Sequence, residues 1–186
     1  MSNNLIVGFS GNINRPSSTF GFVESVAGAL AQQVGLQHAV FDVEDLGPSL
    51  AAARSVADLN PAAKKVIRTI VEAEVLVIGS PTYKGSYTGL FKHAFDLLDP
   101  ADLRGKPIIL TATGGGDRHS LVVEHQLRPL FAFFEAFVLP TAIYTSSRDF
   151  TEGKPSTAIL GRINQALAEA SLLVKARSGA VAIAAE

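Results

Sequence analysis

The chain has 186 residues, 47% of them apolar and 18% charged, with a formal net charge of −1 and no cysteine. That is enough to bury one core in a single domain spanning 1–186, and it is too apolar for disorder and too near neutral for a nucleic-acid footprint. Disulfides, thiolate metal sites and a thiol nucleophile are excluded. The opening MSNNLIVGFSG has no basic segment, no apolar run approaches the about 20 residues of a membrane span, and the apolar tail Ala180–Ala185 is short, so a cytoplasmic protein with no membrane contact is expected.

Strand-like and helix-like patterns alternate along the chain. Leu5–Phe9 reads as a strand. Thr19–Val34 reads as a helix, with Phe22, Val23, Val26, Ala27, Leu30 and Ala31 at three-and-four spacing. His38–Val43 is a second strand, and Asp45–Asn60 a long loop with a helical turn. Pro61–Ala73 is a helix with proline at its first position. Val75–Ser80 is a third strand, apolar throughout as in a strand buried on both faces. Thr88–Leu98 is the next helix, Pro107–Thr113 the fourth strand, Arg118–Phe137 a long helix, Ala142–Ser146 the fifth strand and Ser156–Ala176 the closing helix. Strict alternation implies a three-layer α/β sandwich, a five-stranded parallel sheet with helices on both faces and the flavodoxin-like order 2-1-3-4-5.

Such a sheet binds ligands beyond the C-terminal ends of its strands. Three polar, glycine-containing loops emerge there: SGNINRPSST (10–19), SPTYKGSY (80–87) and TGGGD (113–117). In the first, Ser10, Ser17, Ser18 and Thr19 offer hydroxyls at a helix start, where free N–H groups favour an anion, and Arg15 adds a charge able to grip phosphate. Simple helix capping is the alternative. In the second, Pro81, Thr82, Tyr83, Lys84 and Gly85 would lie along a flat ring, unless Tyr83 is an ordinary rim residue. In the third, Thr113, Gly114, Gly115, Gly116 and Asp117 expose backbone N–H groups to ring oxygens, unless the loop is only a flexible turn.

These loops, in this order, resemble the NAD(P)H-dependent FMN reductase family, over roughly Leu5 to Leu139. The sharpest match is SPTYKGSYTGLFKHAFDLL, through Pro81, Tyr83, Gly89, Lys92 and Asp96. The second is TGGGDRHSLVVEHQLRPLF, through Thr113, Gly114, Gly115, His119, Leu127, Arg128 and Pro129. The first loop departs from the family's usual residues, reading FSGN after the strand. Most similar are the reductases that serve alkanesulfonate or methanesulfonate monooxygenases. The resemblance implies an enzyme that binds FMN at the three loops and takes a hydride from NADH or NADPH with no catalytic side chain. It implies a monooxygenase that consumes the reduced flavin, and a homodimer or homotetramer. It also implies a π-bulge in the helix after the glycine loop, at a subunit interface, with His125 at the bulge as a modulator or a plain interface residue.

The apolar residues of Arg118–Phe137 cover most of its circumference in the second half, so a second cover is needed, either a partner subunit or the C-terminal segment of the same chain, and the oligomers that the resemblance implies favour the partner. Lys92 and Asp96, four apart, suit an intrahelical ion pair, with Arg104 and Arg118 as further members. His119 suits a capping or loop-positioning role. Lys84 is the candidate for selecting NADPH. The alternatives are an FMN-retaining quinone or azo reductase, a flavodoxin-type electron carrier, disfavoured by the near-neutral charge, and a receiver domain, disfavoured because Ser10, Ser80 and Thr113 stand where carboxylates are needed.

Overall fold

A computed structural model of the chain describes residues 3–183. Its sheet is parallel: β1 (Asn3–Ser10), β2 (Gln37–Asp42), β3 (Ala73–Pro81), β4 (Pro107–Gly114) and β6 (Ile143–Ser146) run in the order β2-β1-β3-β4-β6. This is the expected flavodoxin-like order. A two-residue β5 (Phe137–Val138) pairs with the first half of β4, and β6 takes over the second half, from Thr111 to Gly114. The edge strand is thus built from two pieces that leave and rejoin the sheet around Pro140.

Helices α1 (Ser18–Val34) and α5 (Thr157–Ile183) cover one face. On the other lie α2 (Pro61–Glu72), α3 (Gly89–Asp96) and α4 (Arg128–Phe133). Pro61 opens α2, where its missing N–H costs nothing, and Asn60 caps it by accepting from the Ala63 N–H. α1 can lie close on the sheet because β3 carries Gly79 beneath it. A methyl there would fall 2.3 Å from Cγ2 of Val23 and 2.6 Å from Oγ1 of Thr111.

The segment Asp45–Asn60 is more ordered than a loop. It makes three 3-10 turns, Val43–Leu46, Leu50–Ala52 and Val56–Asp58, which bury Leu46, Leu50, Ala53 and Leu59 in the core. The long helix expected over Arg118–Phe137 is not one helix. A 3-10 turn (Asp117–His119) leads into a π segment (Val123–Leu127), which continues as α4 only to Phe133. The π segment is the bulge that the resemblance implied, and His125 lies within it, exposed. The hairpin of β7 (Phe150–Thr151) and β8 (Lys154–Pro155) is absent from the sequence reading. α5 runs through the start of the apolar tail Ala180–Ala185, whose last two residues lie outside the described residues.

Candidate active site

The C-terminal ends of β1, β3, β4 and β6 open into one cleft of about 840 Å³. Six of the loop residues singled out from the sequence line it: Ser17, Ser18 and Thr19 from the first loop, Pro81, Thr82 and Tyr83 from the second. Thr113, Gly114 and Gly115 complete it from the third. The three loops are also bonded to one another. Thr19 and Thr113 share a hydroxyl hydrogen bond of 2.7 Å, the Thr82 N–H donates to the Thr113 carbonyl (2.7 Å), and Thr88 Oγ1 donates to the Gly11 carbonyl (2.6 Å).

At one end, Ser17 caps α1 by accepting from the Phe20 N–H. Capping and cleft lining therefore coexist in this residue. The N–H groups of Ser18 and Thr19 find no protein acceptor among the described residues, as first-turn donors do. At the other end, the N–H group of Gly115 is likewise without a protein acceptor among the described residues, as is that of Gly116, which was expected in the site but falls just outside the lining. Buried Asn12 Oδ1 and Thr82 Oγ1 have no hydrogen-bond partner either, and both residues line the cleft.

Arg15 stands elsewhere than the sequence reading put it. Its Nε and Nη2 donate to the two carboxylate oxygens of Asp42 (2.8 and 2.6 Å), and Nη2 also reaches Asp45 (2.7 Å). This forked pairing engages Nε and Nη2, and Arg15 is not part of the cleft lining. Asp42 is fully buried. Burial alone would raise its carboxyl, but hydrogen bonds from Arg15 and Asn12 outweigh that and hold it below the usual carboxylate range. The cluster shapes the first loop rather than charging the cleft.

Other expected residues also fall outside the lining. Ser10 is fully buried, its hydroxyl unpartnered. Lys84 and Gly85 form the exposed tip of the second loop, with φ of 53° and 87°. Asp117 opens the 3-10 turn that ends at His119. Lys92 and Asp96 do form an ion pair, whereas Arg104 pairs with Glu135 instead of joining them. Arg128, in the family motif, is structural: it pairs with Glu124 and donates to the Leu139 and Pro140 carbonyls.

One residue that the sequence reading missed governs the glycine loop. Tyr144 on β6 donates its hydroxyl to the Gly116 carbonyl (2.7 Å). Burial raises this phenol above its ordinary pKa, so it remains a donor at neutral pH. The ring passes so close to the loop that a methyl on Gly114 would lie 2.1 Å from the Tyr144 oxygen. Glycine at 114 is a steric requirement of this contact. The only sequence signal was a tyrosine at the register position beside the glycine loop.

Comparison with known proteins shows the family and the fold. The family model described as NADPH-dependent FMN reductase matches residues 5–151. The chain is 39% identical over 184 residues to an FMN reductase (NADPH) of Pseudomonas aeruginosa, covering 96% of this chain and 97% of that one. It is 36% identical over 155 residues, 83% of each chain, to the NADH-dependent FMN reductase SfnE of Pseudomonas putida. Among solved structures, an oxidoreductase of Corynebacterium diphtheriae superposes with a TM-score of 0.85 at 31% identity, over 94% of this chain and 98% of the other.

Proposed function

The chain belongs to the NADPH-dependent FMN reductase family, an NAD(P)H-dependent reductase of FMN, and from that premise we propose that flavin and nicotinamide meet in the cleft and that the reduced flavin passes to a separate monooxygenase acting on alkane- or methanesulfonates. One observation carries the assignment of the site: unbonded N–H groups stand at both ends of a single cleft, at the start of α1 and in the glycine loop. They suit a ligand with a phosphate at one end and ring oxygens at the other.

The residues fit FMN. Ser17, Ser18 and Thr19 would hold its phosphate through hydroxyls and first-turn N–H groups. Pro81, Thr82 and Tyr83 would line the ring, and Gly115 and Gly116 would donate to its carbonyl edge, stabilising negative charge there. Bound FMN supplies the redox chemistry, accepting a hydride from the nicotinamide. The protein aligns and shields: among the described residues no carboxylate, imidazole or amine lines the cleft. With Arg15 held by Asp42 and Asp45, no lining cation retains the phosphate. That supports a flavin that comes and goes as substrate over one held as a prosthetic group.

Anaerobic stopped-flow mixing of the protein with FMN and each nicotinamide tests this directly. Flavin absorbance near its visible maximum is expected to bleach with at least one donor. Bleaching by tightly retained flavin with ping-pong kinetics would shift the reading to a quinone or azo reductase. No bleaching with either donor would end the site assignment.

We also propose self-association as a homodimer or homotetramer through the face carrying the π segment. Leu121, Phe133 and Phe137 are 59%, 69% and 50% exposed there, an apolar display costly to leave in water. Sedimentation is expected to give a multiple of the chain mass, and Phe133→Glu to shift it toward the monomer by at least about tenfold in dissociation constant, since burying an unpaired carboxylate is penalised. A monomeric parent protein would remove the proposal.

A further inference from the structure

More than half of the cleft wall lies outside the residues that an FMN would need. Beyond the phosphate end, the cleft continues between α1 and the β7–β8 hairpin. Phe22 and Ser25 line it on the helix side, Ser147, Phe150, Gly153 and Pro155 on the other. Ser25 stands six residues past Thr19, about 9 Å along the helix axis. The nook therefore extends from the cradle by roughly the length of a nucleoside. Its chemistry is amphipathic. Phe22 and Phe150 meet edge to face at 6.2 Å, a hydrophobic wall suited to a flat base. Ser25 and Ser147 are exposed hydroxyls at the same opening, and the exposed cations Arg148, in the 3-10 turn Ser147–Asp149, and Lys154, on β8, neighbour lining residues without lining the nook themselves and make no ion pair among the described residues.

We propose that the nook between α1 and the β7–β8 hairpin is a subsite for the adenosine half of a dinucleotide. This rests on the flavin reading of the neighbouring cradle and extends it. An adenosine phosphate can reach the nook from two sources. One is FAD, whose flavin would occupy the ring site while its pyrophosphate crosses the cradle. The other is the nicotinamide donor, whose adenosine end would lie there while its reactive end reaches the ring. Both present a purine, a ribose and an anionic link to the same aromatic wall and hydroxyls.

Ser25→Phe tests the subsite, because Ser25 is exposed on α1 and a larger side chain there fills the nook without entering the core. Flavin binding would be read by fluorescence titration with FMN and with FAD, and the donor by its KM at saturating FMN. FMN is expected to keep its affinity within about twofold, since it does not reach the nook. FAD affinity, the donor KM, or both are expected to worsen at least tenfold. Loss confined to FAD identifies the flavin dinucleotide as the occupant, and loss confined to the donor KM identifies the nicotinamide nucleotide. If the variant binds FMN and FAD as the parent does and its donor KM is unchanged, the subsite is refuted while the flavin site stands. If the parent itself fails to bind FMN, the flavin reading falls, and the subsite with it.

Discussion

A Gly114→Ala protein is expected to fold and to lose at least about 100-fold in FMN affinity, about 2.7 kcal/mol. The added methyl cannot coexist with the Tyr144 hydroxyl, 2.1 Å away, or relax past its Cζ at 3.1 Å. The ring must swing out and give up its bond to the Gly116 carbonyl. The glycine loop then loses the contact that holds its N–H groups toward the cleft. Gly114 sits at the sheet's rim, after the last fully buried residue of β4, so the damage is local. The double variant Gly114→Ala with Tyr144→Phe separates clash from anchor. Removing the hydroxyl relieves the shortest contact, so the double variant is expected to bind FMN at least threefold more tightly than Gly114→Ala alone, a gain of about 0.7 kcal/mol or more, which with the separate cost of Tyr144→Phe makes a coupling of at least about 1.7 kcal/mol. Tyr144→Phe alone removes one hydrogen bond, worth about 1 kcal/mol, and is expected to weaken FMN only about fivefold. Fluorescence titration of the three proteins checks the set. A Gly114→Ala protein with parental affinity would show that the loop does not depend on Tyr144.

The features that could be read from sequence were local. Strand and helix alternation, Pro61 at a helix start and the apolar run of β3 each depend on residues a few positions apart, and all appear where expected. The three loops were found for the same reason: each follows its own strand directly. What escaped depends on partners distant along the chain. Arg15 looked like a phosphate ligand because its partners Asp42 and Asp45 lie 27 and 30 residues away. Nothing in SGNINRPSST shows that the guanidinium is already engaged. Tyr144 acts on Gly116 from the neighbouring strand, 28 residues on. The hairpin at 150–155 was missed because its strands are two residues each, too short for any alternation to register. The long helix over 118–137 was over-read for the opposite reason. Its apolar residues continue without a break, and periodicity alone does not reveal where i→i+4 bonding gives way to the wider π turn.

The largest stability effect is expected at Phe91, which ties the core to the cleft. Its ring is fully buried and stands 5.0 Å from Phe95, 5.7 Å from Tyr87, 6.0 Å from Phe9 and 6.5 Å from Phe131, centroid to centroid. Phe91→Ala leaves a hole that four aromatic neighbours cannot close together, a loss of about 3–5 kcal/mol. For a domain of this size that lowers Tm by roughly 6–20 °C. The effect reaches the site because the first loop begins on this ring: a methyl at Gly11 would lie 2.8 Å from Cδ2 of Phe91. Gly11 is bonded on both sides, its N–H to the Gly79 carbonyl and its carbonyl from Thr88, so the backbone stays attached while its floor is lost. Loosening the loop adds an ordering cost on binding, and FMN affinity is expected to fall about tenfold. Thermal unfolding with and without excess FMN measures both effects. A smaller flavin-induced rise in Tm for Phe91→Ala than for the parent is expected, and an equal rise would show that the cradle keeps its shape without the ring beneath it.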